Sequence, residues 1–125
     1  MKNNLNDLAL AILRVSFSGM ILTHGIPKIN MLLENASGFP DPIGIGSTAS
    51  LVLAIIGEVV APIFVLIGFK TRIAAIPVVI TMAVAAFVVH INDDFATKEM
   101  ALLYLLAFVV IALVGAGRYS VDGRK

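Results

Sequence analysis

Six ionisable side chains lie inside or at the edge of long apolar stretches: Arg14, His24, Lys28, Glu58, His90 and Glu99. Two imidazoles with one or two carboxylates suit a short list of chemistries. They can hold a quinone headgroup, with histidine or arginine donating to its two carbonyl oxygens while a carboxylate passes protons. His24 and His90 can instead hold a metal or act as axial haem ligands, an expectation that stands behind the quinone because similar depth is a common coincidence. Arg14, Glu58 and His24 can also form a stepwise relay for a proton or a small solute.

Each residue has a structural use as well. Arg14 and Glu58 can pair to lock two spans, and the histidines can be satisfied hydrogen-bonding groups. Glu99 can be a helix N-terminal carboxylate held by the dipole. Lys28 can snorkel to the headgroups. What favours a site is that these groups come from different segments yet fall at similar depths.

Composition decides the solvent around them. The 125-residue chain is 59% hydrophobic and 14% charged, against about 45–50% and 25% in a soluble domain. Its mean hydropathy is +1.00. A soluble enzyme, a disordered tail and a disulfide scaffold are excluded, leaving an integral membrane protein. The absence of cysteine removes thiol relays, thiolate metal sites and iron–sulfur clusters. Positive residues are scattered, so no nucleic-acid face is expected.

Crossing a hydrocarbon core of ~30 Å takes about 20 helical residues. Four runs qualify, about 8–29, 49–69, 73–91 and 99–115, within one domain of residues 1–125. Backbone groups in lipid must be paired within their own segment, so these are helices. The sequence predicts an all-α antiparallel bundle of four transmembrane helices, with an outer loop over 30–47. That loop is too apolar to be freely solvated and is expected to lie over the helix ends. Lys2, Lys70, Arg72, Arg118, Arg124 and Lys125 gather on one side, against Lys28 and Lys98 on the other, which puts both termini in the cytoplasm.

Counting 1.5 Å per residue from the middle of each run sets Glu58 near the midplane, Arg14 about 6 Å to the cytoplasmic side, and His24, His90 and Glu99 about 9–12 Å to the outer side. Lys28 sits at the outer boundary. At 100° per residue Arg14, Ser18, His24, Gly25 and Lys28 share one stripe. Ala54, Ala61 and Pro62 flank Glu58, and Ala83 and Ala86 flank His90. Small neighbours permit close helix approach, so the polar stripes are predicted to face the bundle interior. Pro62 also leaves the Glu58 carbonyl without its helical donor.

These residues carry a resemblance. Leu13-Arg14, Gly19, His24-Gly25 and Lys28 look like the first-helix pattern of the DoxX family. Gly57-Glu58, the run from Gly68 to Ala75, His90, Glu99 with Leu102 to Leu105, and Gly115 to Asp122 resemble the same family in order. The resemblance covers nearly the whole chain apart from the outer loop. It implies a multi-pass protein of a bacterial or archaeal inner membrane, linked to quinone-dependent oxidoreductase complexes, and adds Tyr104 to the ligand-holding set. The expected function is a small membrane subunit of quinone-linked redox chemistry. In it His24, His90, Lys28 and Tyr104 hold the ligand, Glu58 and Glu99 handle protons, and Arg14 stabilises charge. Expected partners are membrane lipid, other membrane redox subunits or further copies of the chain. The alternatives are a non-catalytic assembly subunit and a small-solute or proton carrier.

Overall fold

The structure, a computed structural model, describes residues 4–38, 41 and 43–124. The expected loop residue Phe39 and the charges of Lys2 and Lys125 lie outside the described residues. Among the described residues there is no strand; the chain forms α1 (Asn4–Asn35), α2 (Ser47–Ile67), α3 (Thr71–Val89) and α4 (Phe95–Val114). Among the described residues three stretches are long and apolar enough to cross a membrane, Leu5–Glu34, Ser47–Ile67 and Thr71–Val89.

Polarity is arranged for an apolar solvent. Leu8, Ile12, Ile63, Ile73, Ile80 and Leu106 point outward, whereas Asp7, Arg14, Ser18, Glu58 and Thr71 are buried. The core joins Ile21, Val65, Val78, Phe108 and Ile111 from all four helices. Outward apolar side chains gain nothing by clustering in lipid, so close helix approach and internal polar bonds hold the assembly.

The first helix departs from expectation. It runs through Pro27 and continues to Asn35, 32 residues in all, whereas the sequence predicts an end near residue 29. Met31, Leu32 and Leu33 therefore belong to α1 and not to the loop. A bilayer sets a minimum length for a spanning helix but no maximum, and Pro27 costs one hydrogen bond without ending the helix. Likewise α4 begins at Phe95, ahead of the expected start near residue 99.

The turn between α2 and α3 is built by Gly68, at φ 76°. The amide of Phe69 donates back to Phe64 O at 2.9 Å, the closure by which a left-handed residue ends a helix. The C-terminal segment packs on this turn. A Cβ at Gly68 would lie 2.2 Å from Ser120 Cβ. Asp122 then caps α3 from 51 residues beyond Thr71: its carboxylate accepts from Lys70 N and Thr71 N, both at 2.9 Å, and from Thr71 Oγ1 at 2.7 Å. Asp122→Ala orphans these donors and is expected to lower stability by about 2 kcal/mol, read as a shifted unfolding midpoint in detergent. Asp122→Asn should lose less.

At the other end Asp41 holds the entry to α2. Its carboxylate accepts from Gly46 N at 2.9 Å and from Ile45 N and Ser50 Oγ, each at 3.0 Å. The N-cap position of α2 is Gly46, which has no side chain to cap with. Chiefly the Gly46 amide, helped by Ser50 and Ile45, holds the Asp41 carboxyl below the usual aspartate range. A depressed carboxyl stabilises above its unfolded pKa, about 3.9, and that contribution is lost as pH falls through the folded value. The amide resonances of Ile45 and Gly46 should therefore hold steady down to about pH 4 and move only below it. Asp41→Asn should remove the transition.

Candidate functional site

The site begins where α1 crosses α2. A Cβ on Gly25 would lie 2.4 Å from Glu58 O and 2.7 Å from Val59 Cγ2, so only glycine allows this approach. Around the crossing α2 loosens into a π-helical turn over Ile56–Val60, with Ala61 N donating to Ile56 O. Pro62 has no N–H to offer Glu58 O, and wider turns of this kind relieve such a mismatch. The turn carries Glu58, buried at 6% exposure.

A second π-helical turn, Ala85–Val89, ends α3, closed by His90 N donating to Ala85 O at 3.0 Å. His90 therefore leaves the helix at the level of the cavity. Its Nδ1 lies 2.7 Å from Asp93 Oδ2. An ionised carboxylate only accepts, so Nδ1 donates and Nε2 is the nitrogen left for a ligand.

Between these turns lies a partly open cavity of 140 Å³, lined by His24, Lys28, Glu58, His90 and Tyr104 together with Ile21, Met82, Ala85, Met100 and Ala101. Lys28 Nζ donates to Glu58 Oε1 at 2.8 Å and to His24 O at 3.3 Å. The buried Tyr104 ring meets His24 edge-on at 5.9 Å and Phe17 edge-on at 6.0 Å. Polar groups reach this wall from α1, α2 and α4, and from His90 just after the end of α3. A hydrogen-bond donor set, a carboxylate–ammonium pair and room beside them can bind a polar ring and exchange protons with it.

Two expected members stand elsewhere. Arg14 does not pair with Glu58. Its guanidinium donates to Val65 O at 3.1 Å, to Leu66 O and to Tyr119 O, closing the C-terminal end of α2. Gly25 faces Glu58, and Arg14 precedes it by eleven residues, about 16 Å along the axis. Counting heights from the middle of each run took all the runs as centred at one level, whereas the middle of α2 meets α1 at Gly25, well past the middle of Asn4–Asn35. Glu99 is exposed in α4 and does not line the cavity. Lys28, expected at the outer boundary, is instead the partner of Glu58. The spacing of His24 and Lys28, four residues apart beside a packing glycine, was the signal for that. Among the described residues no three His, Cys, Asp or Glu side chains converge on a metal position.

A DoxX family model matches residues 9–91. The chain belongs to the DoxX family. The DoxX match takes in most of α1 and all of α2 and α3, with Arg14, His24, Lys28, Glu58 and His90, and stops before Glu99 and Tyr104. Two uncharacterized proteins of Haemophilus influenzae extend the similarity into α4. One is 32% identical over 122 residues, covering 92% of this chain and 89% of the relative. The other is 24% identical over 125 residues, covering 94% and 83%. No solved structure matches the chain.

Proposed function

We propose that this DoxX-family chain is a small membrane subunit that binds a quinone headgroup in the cavity between the two π-helical turns, in the service of quinone-linked oxidoreductase chemistry. The observation that carries this reading is the coincidence of room and donors. Apolar cavities of about 150 Å³ accept one benzene ring, and this one measures 140 Å³ with His24, Lys28, His90 and Tyr104 on its walls. Histidine and tyrosine suit the two ring carbonyls. The Lys28–Glu58 pair beside them holds a proton donor and a proton acceptor in contact. A bound quinone would supply two-electron, two-proton redox capacity, with electrons exchanged through partner subunits.

The same reading places four helices across a bacterial or archaeal inner membrane with both termini cytoplasmic. The 20 residues of α4 would span about 30 Å, and the lysine and arginine asymmetry supports the orientation. The cavity then opens toward the outer leaflet.

Purification from native membranes in mild detergent, followed by solvent extraction and mass spectrometry, tests this. Near-stoichiometric quinone is expected with wild type and several-fold less with His24→Ala. Extracts holding no lipid-soluble redox compound would contradict the reading. An assembly-subunit role is the second reading, favoured by the Lys28–Glu58 bond that ties α1 to α2. It predicts variants that lose stability and complex yield together, with no separate loss of binding.

A further inference from the structure

A second cavity, of 150 Å³, lies in the seam between α2 and α3 and is bordered by Ile43, Leu53, Ile80, Val84 and Val89. Glu58 and Ala85 line both this groove and the polar cavity. The other polar groups in the groove are engaged locally: Ser50 Oγ donates to Asp41, and Thr81 Oγ1 donates to Pro77 O at 2.8 Å. Leu53 and Ile80 are 49% and 58% exposed, so the groove opens on the side that meets acyl chains. We infer that the groove receives the apolar tail of a lipid-soluble ligand whose headgroup lies in the polar cavity. This rests on the headgroup reading above and adds the ligand's chemical class and route, sideways from the membrane between α2 and α3.

The same seam shows why the tail takes this position. A larger groove of 290 Å³, lined by Ile56, Val60, Phe64, Ile73 and Pro77, lies further along it. That groove does not border Glu58. The two are divided where a Cβ on Gly57 would lie 1.9 Å from Thr81 Oγ1, too close for any side chain to pass. The larger groove ends at Lys70 in the turn between α2 and α3 and reaches no buried ion pair, and ordinary membrane lipid suffices to fill it. Only the smaller one leads from lipid to a buried ion pair.

The test compares two probes on the full chain in nanodiscs: a decyl-substituted benzoquinone and the same ring carrying methyl in place of decyl. After correction for partitioning, the long-tailed probe should bind about tenfold tighter, the gain coming from close packing of the tail against the groove walls and not from leaving water. Val84→Trp fills the groove and should bring the long-tailed probe down to the short one, leaving the short one unchanged. Ile80→Trp, at an exposed position, repeats the test should the first variant fold poorly, and Ile73→Trp in the larger groove should change neither affinity. A diazirine on the decyl tail should crosslink Leu53, Ile80 or Val84, and decanol should not compete. Equal affinities, or a tail insensitive to both groove-filling variants, overturn the inference while the headgroup reading stands. Saturable binding of neither probe sinks both.

Discussion

Gly25→Ala should destabilise the protein by about 3 kcal/mol and Gly25→Val should prevent α1 from packing on α2. The added carbon meets the carbonyl oxygen of Glu58 at 2.4 Å. That atom belongs to backbone, so no rotamer change relieves the overlap. The helices must part, and the same movement pulls Lys28 from Glu58 and opens the cavity. Gly19, six residues earlier on α1, is the control. Nothing lies within 4 Å of a Cβ there, so Gly19→Ala should be neutral or gain up to about 1 kcal/mol from helix propensity. Unfolding midpoints in detergent for the two alanine variants check the contrast. Similar midpoints would mean that α1 does not cross α2 at Gly25.

Lys28→Met should cost about 3 kcal/mol, because it leaves the Glu58 carboxylate buried without its ammonium. Glu58→Gln alone should cost less, since the Lys28 side chain is 23% exposed and can reach water. The double variant Lys28→Met/Glu58→Gln should recover most of the loss, with a coupling of about 1–3 kcal/mol. Its value lies in separating the two functional readings. A refolded double variant that no longer retains quinone means the pair serves the cavity's chemistry. One that is stable and retains quinone means the pair only fixes packing.

Much of this arrangement is legible in the residue order, because lipid punishes error. Every charge at membrane depth needs a reason, which singled out His24, Lys28, Glu58 and His90 before any packing was known. The small residues around Glu58 pointed to the close helix contacts found there. Heights were less readable. Hydropathy marks where a helix can begin to span but not where it stops, nor at what level two helices cross, and α1 runs on to Asn35. Taking every span as centred at one level carried Arg14 toward Glu58, whereas its terminal nitrogens donate to Val65 O and Leu66 O at the end of α2, carbonyls that every helix leaves open, and to Tyr119 O. Asp41 and Asp122 escaped notice for a related reason. A carboxylate that caps a helix from a distant segment has no local pattern, only the bonds it makes once the chain has folded.

The chain holds two histidines, and both line the polar cavity. Ring-labelled ¹⁵N-histidine therefore yields signals from the site and from nowhere else. Titrating a methyl-substituted benzoquinone into labelled protein in nanodiscs is the most direct measurement of the central claim. The account predicts that the ring signals of His24 and His90 move together along one saturating curve. Movement of a single histidine, or a linear drift of both without saturation, would contradict a shared ring-binding cavity.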